Sequence, residues 1–254
     1  IHTMPLRAER GFLPDFSEIP ADILTQARMM VLSYPHNPTT AVASLEFFRD
    51  AVAFCQTHGL VLVHDFPYGE MVFGDTVAPS VLQADREKAC AVEIFTMSKS
   101  YHMGGFRVGY AIGNATVLKA LRQLKAVIDF NQYRGILNGA IAALTGPQAP
   151  IQASLQIIAE RQTVFGDGLR AIGWDVPIAP ATMYIWAALP PAWPTGSIDF
   201  CTQLVAQTGV AAAPGVGFGA SGEGYVRFAL VRDREVLQTA VQRIAQFLAQ
   251  NLPT

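Results

Sequence analysis

The chain has 254 residues, enough to bury one large core or two unequal ones. Hydrophobic residues make up 51% and charged residues 15%, which excludes an intrinsically disordered chain. A net charge of -2 gives no electrostatic ground for a nucleic acid or an anionic membrane as partner.

Further exclusions come from local sequence. No apolar run reaches the roughly eighteen residues that span a bilayer. Ile1–Arg7 lacks the basic-then-apolar layout of a signal peptide. Cys55, Cys90 and Cys201 are an odd number without a C-x-x-C, so they read as reduced thiols of a cytoplasmic protein. The five histidines are scattered, and no His/Cys cluster has metal-ligand spacing.

In chain order, Arg28–Tyr34 reads as a short strand that ends in the loop Pro35-His36-Asn37-Pro38-Thr39-Thr40. Ser44–His58 follows as an amphipathic helix, capped by Ser44 and stopped by Gly59. Leu60–His64 is apolar at nearly every position, as a parallel strand covered on both faces would be. Ala91–Met97 and Val108–Gly113 read as further strands, and Ala115–Ile128 as a helix. This alternation predicts βαβ units and a mostly parallel sheet.

The character changes near Gly146–Pro150. A long helix over Ile151–Ile172 precedes extended segments at Trp174–Ile178, Met183–Leu189, Val210–Pro214 and Tyr225–Leu230. Helices are predicted over Ser197–Thr208 and Arg232–Asn251. The expected division is a large α/β domain over residues 1–148 and a smaller α+β domain over residues 149–254, the long helix belonging to the second.

Open α/β sheets bind ligands at the carboxyl ends of their strands. Three such ends carry polar residues: Asn37, then Asp65 with Tyr68, then Ser98 with Lys99. Taken singly, each has a bland alternative, namely a turn, a half-buried aromatic or an exposed loop amine. Together they are the residue types that pyridoxal phosphate chemistry needs. A lysine forms an imine and moves a proton, a carboxylate keeps the pyridine nitrogen protonated, and donors meet the ring's phenolate oxygen. A hydroxyl and a guanidinium, as at Ser98 and Arg107, suit a phosphate dianion.

Four ordered segments carry a family resemblance. They are Asn37-Pro38-Thr39, Asp65-Phe66-Pro67-Tyr68, Ser98-Lys99-Ser100 with Gly105-Phe106-Arg107-Val108-Gly109, and Tyr225-Val226-Arg227-Phe228-Ala229-Leu230. In order and spacing the chain resembles the class I/II pyridoxal-phosphate-dependent aminotransferases of fold type I. Val92–Tyr101 and Met183-Tyr184-Ile185-Trp186 place it nearest the alanine and LL-diaminopimelate aminotransferase branch.

The resemblance implies roles residue by residue. Lys99 is the imine-forming lysine and proton shuttle, Asp65 partners the pyridinium nitrogen, and Asn37 and Tyr68 contact the phenolate oxygen. Ser98 and Arg107 bind phosphate, and Arg227 clamps the substrate carboxylate. Pro67 packs against one face of the cofactor ring. The implied reaction moves an amino group between an L-amino acid and a 2-oxo acid such as 2-oxoglutarate, in a homodimer. A carbon–sulfur lyase on the same scaffold, or an inactive binding module, stays open on these residues.

Two departures stand out. Thr40 occupies a position where the family usually has glycine. Nothing in Ile1–Arg28 matches the family's N-terminal phosphate-binding loop and ring-stacking aromatic. The expectation is therefore an N-terminally truncated chain with an incomplete large domain, poor stability and weak or no activity alone.

Overall fold

In a computed structural model that describes residues 1–191 and 193–252, the chain builds two separate sheets. The short helix α1 (Ala21–Gln26) leads into β1 (Met29–Ser33), α2 (Leu45–Thr57), β2 (Val61–Asp65), β3 (Ala91–Thr96) and β4 (Gly109–Gly113). These four strands pair in the order β1-β2-β3-β4. The first three run parallel and β4 returns antiparallel to β3, so the fold is α/β with a mixed sheet.

Helix α2 forms where the sequence sets its signals. The Ser44 hydroxyl accepts the Phe47 N–H at 3.1 Å, and Gly59 supplies a left-handed φ of 65° just beyond the end. Phe48, Ala51, Val52 and Cys55 recur every three or four residues and bury one face of the helix against the sheet. Met30, Leu32 and Leu62 meet them from the strands.

The opposite face of this sheet corrects one expectation. Val61 and Val63 are only half-buried, and Met29 and Val31 are 55% and 58% exposed, so β2 is not covered on both faces. Side chains alternate across a strand, and only the row facing α2 is packed. Ile94, Tyr110 and Ile112 are also exposed. Helix α3 (Ala115–Ile128) follows, with no buried residue.

The rest of the chain comprises α4 (Arg134–Thr145), α5 (Ala149–Ala171), β5 (Tyr184–Ala188), α6 (Ser197–Thr208), β6 (Ala213–Pro214), β7 (Tyr225–Ala229) and α7 (Arg234–Asn251). The second sheet runs β5-β7-β6, antiparallel throughout. It packs on α5, α6 and α7 through Phe165, Leu169, Phe200, Leu204, Ile244 and Phe247, each at most 2% exposed.

Three differences from the predicted elements have physical causes. Helix α4 carries Gly135, Asn138 and Gly139 in its interior, which hide it from a propensity reading. Residues 174–178 form no strand; Trp174 and Val176 are buried as loop residues, and Pro177 lacks the N–H a ladder needs. The segment predicted over 210–214 contributes only Ala213–Pro214 to the sheet. No helix among the described residues is long and apolar enough to cross a membrane.

Candidate active site

The carboxyl ends of β1, β2 and β3 open into a cavity of about 480 Å³. Its wall contains Asn37, Asp65, Tyr68, Ser98, Lys99 and Arg107, every large-domain residue singled out by sequence. Ser33, Pro67 and Thr96 complete it. Ser33 and Asp65 are register partners on β1 and β2, so the same pleat aims both at one spot.

Each side chain is delivered by its local backbone. Asp65 is the last residue of β2, and the chain then turns so that Tyr68 is buried beneath the cavity floor. Lys99 follows β3 on a tight turn in which the Thr96 hydroxyl accepts the Ser98 N–H at 3.1 Å. Its Nζ lies 5.4 Å from the Tyr68 ring centroid. Arg107 has a left-handed φ of 53°, and its Nη1 donates to the Gly104 carbonyl at 2.7 Å.

Arg227 reaches the same place from the other sheet. Its Nη1 donates to Asn37 Oδ1 at 2.7 Å across 190 residues of sequence. The guanidinium lies 4.3 Å from the Tyr184 ring centroid and 4.7 Å from that of Phe218. Such a cation held between two rings is oriented as well as charged. Tyr184 in turn shares a 3.2 Å hydrogen bond between hydroxyls with Tyr68. Asn37 and Tyr68, on the first sheet's loops, are thus tied to Arg227 and Tyr184, on the second.

Electrostatics follow from this crowding. Burial raises the Asp65 carboxyl above its ordinary range, against the opposing pull of His64 and Lys99. The Tyr68 phenol is raised by burial and by its bond to Tyr184, so it stays protonated and available as a donor. His36, bonded through Nδ1 to the Thr39 hydroxyl at 2.7 Å, is lowered by burial to about 4. The loop that holds Asn37 therefore carries a neutral imidazole near pH 7.

A second concavity of about 490 Å³ adjoins the first and shares Ser33, Asn37 and Asp65 with it. Trp186, Phe218 and Gly219 line its far side. Sequence alone pointed to neither Phe218 nor Ser33. Ser33 carried a faint signal as the polar end of an apolar strand, whereas Phe218 reaches the site only through the fold. Thr40, standing where the resemblance favours glycine, has a left-handed φ of 63°. The backbone keeps the geometry that glycine would adopt freely.

A family model described as aminotransferase class I and II matches residues 1–244. The chain is 42% identical to an LL-diaminopimelate aminotransferase of Trichormus variabilis over 95% of its own length and 62% of that protein's. It is 41% identical to another of that name from Dehalococcoides mccartyi, over 97% of its own length and 63% of the relative's. It thus spans less than two thirds of these relatives. Among solved structures, apo-BacF from Bacillus subtilis superposes with a TM-score of 0.93 at 34% identity, over 98% of this chain and 66% of that one. A probable N-succinyldiaminopimelate aminotransferase from Thermus thermophilus gives 0.89 at 39% identity, over 96% and 65%. The chain belongs to the class I and II aminotransferases and has their fold type I architecture.

Proposed function

We propose that this chain carries the cofactor- and carboxylate-binding machinery of an aminotransferase that uses pyridoxal 5'-phosphate. The observation that supports this reading is the meeting of Lys99, Asp65, Ser98 and Arg107 in one cavity, with Arg227 bonded to Asn37 at its edge. Among the described residues the Asp65 carboxylate, the Lys99 amine and the Ser98 hydroxyl make no protein hydrogen bond, and the buried Arg227 Nε has no partner. A set of opposite charges left open in this way, with Lys99 partly buried and Asp65 and Arg107 exposed, fits a ligand that brings its own phosphate, ring nitrogen and carboxylate.

When bound, pyridoxal phosphate supplies an electron sink for the bonds at the substrate's Cα. Every other role falls to the protein. Arg107 and Ser98 would hold the phosphate end, and the Asp65 carboxylate would accept a hydrogen bond from the protonated ring nitrogen. Asn37 and Tyr68 would donate to the ring oxygen, and Pro67 would lie against the ring. The Lys99 Nζ, once free, carries the proton to and from the substrate Cα. Arg227 receives the α-carboxylate through a charge-assisted pair.

In this reading the donor is an L-amino acid of the alanine, aspartate, glutamate or LL-diaminopimelate type, the acceptor a 2-oxo acid such as 2-oxoglutarate. Residues 1–148 form the cofactor-binding domain, and residues 149–254 close over the substrate and exclude water. Free thiols at Cys55, Cys90 and Cys201 agree with a cytoplasmic setting, and the exposed apolar side chains of β1 and β4 agree with a homodimer.

The test incubates the chain with pyridoxal phosphate, a panel of amino donors that includes LL-diaminopimelate, and 2-oxoglutarate. Formation of glutamate is expected, slow for this chain alone; pyruvate with released thiol or ammonia would instead identify a lyase. Borohydride reduction and peptide mapping should place the cofactor on Lys99, and an unlabelled Lys99 would overturn the assignment.

A further inference from the structure

The face of the first sheet opposite Asp65 holds two ionisable side chains that the proposed chemistry does not use. His64 and Glu93 are register partners on β2 and β3, both facing α2 and both 0% exposed. Two leucines would fill such a place without the several kcal/mol that burying ions costs. Their partners show what they do instead.

Glu93 is held by three partners. Its Oε1 lies 2.7 Å from His64 Nδ1 and accepts the Val81 N–H at 2.9 Å, and its Oε2 meets the Ser80 hydroxyl at 2.5 Å. These contacts fix the Glu93 side chain and, through it, the His64 ring. The other ring nitrogen, Nε2, lies 2.9 Å from the Tyr34 carbonyl oxygen and 3.3 Å from the Tyr34 nitrogen. The ring thus meets both polar groups of one backbone residue.

The Tyr34 peptide that this ring grips is three residues before Asn37, and His64 is the neighbour of Asp65 in β2. We infer that His64, held by Glu93, is a positioning residue for the site on the far side of the sheet. It fixes the start of the loop that presents Asn37 to Arg227, and it adjoins Asp65 in β2. The ligand in question rests on the reading given under Proposed function, whereas the grip on Tyr34 does not.

Long-range ¹H–¹⁵N spectra of the labelled 254-residue chain, without cofactor, read the ring directly. Hydrogen-bonded His64 ring protons in slow exchange with water are expected; a ring that exchanges freely overturns the inference. Glu93→Gln keeps the shape and replaces an acceptor with a donor. It should loosen the His64 ring, shift the Asn37 side-chain amide resonance, and weaken pyridoxal phosphate binding about tenfold, while the chain stays folded by circular dichroism. A merely structural pair would lower the melting temperature and leave the cofactor Kd and the Asn37 resonance unmoved, which sinks the idea. Should the wild-type chain bind no pyridoxal phosphate, the functional reading fails by itself. The His64 ring exchange and the Asn37 resonance then still decide this one.

Discussion

The two sheets of this molecule spend their interiors differently. Around β5 to β7 the buried set is almost wholly apolar, with Phe165, Phe200, Phe228 and Phe247 interlocked edge-to-face or tilted at 5.2–5.7 Å. Around β1 to β4 the interior also buries His64, Asp85, Glu93, Thr39 and Thr40. Asp85 alone accepts three backbone N–H groups, from Ala89, Cys90 and Ala91. The second region is held by packing, the first by packing plus wiring. A polar interior fixes strand ends and loop positions at some cost in stability, and these carry Asn37, Asp65 and Lys99.

That contrast predicts which changes strike activity and which strike stability. Lys99→Ala should lower amino-group transfer about 10²–10⁴-fold and leave thermal melting almost unchanged; an active variant would break the assignment. Phe200→Ala, in the packed region, should cost about 3–5 kcal/mol in urea unfolding. A loss below about 1 kcal/mol there would mean that the second core is not the close-packed one described.

Acid should undermine the wired region first. The unfolded His36 takes up a proton below about 6.5, whereas the buried ring resists until about 4. Between those values the unfolded state binds more protons, so stability falls as pH drops through that window, by up to about 1.4 kcal/mol per unit. His36→Gln should flatten that slope in pH-dependent melting curves. An unchanged slope would remove His36 as its source.

Arg227→Lys keeps the charge and loses the planar fork that meets both Asn37 and a carboxylate. It should raise KM for the amino donor by about 2 kcal/mol in equivalent energy, with a smaller effect on kcat. Thr40→Gly is the mildest change. It removes a β-branched residue from a left-handed φ of 63° and should stabilise by about 1 kcal/mol or less. A lowered melting temperature would show that the buried Thr40 side chain outweighs the backbone strain.

Much of the architecture was legible because its signals are local. Ser44 and Gly59 bracket α2, and Asn37, Asp65 and Lys99 mark strand ends. What sequence could not show depends on register and on distant contacts. The half-open face of β2 follows from what does not pack on it, and the buried His64–Glu93 pair follows from the pairing of β2 with β3. Helix α4 was lost to its glycines. The seat of Arg227 between Tyr184 and Phe218 needed the second sheet assembled first.

The bond from Arg227 to Asn37 has a consequence for how the site comes into being. It closes a loop of 190 residues, among the costliest closures a chain of this length can make. Neither sheet can form that contact alone, so the proposed carboxylate seat arises only late in folding, once both are built. Partial opening of the C-terminal sheet would erase the seat while β1 to β4 stayed intact. Hydrogen exchange at Arg227 and the Asn37 side-chain amide resonance should then report the same opening event, although the two residues lie at nearly opposite ends of the chain.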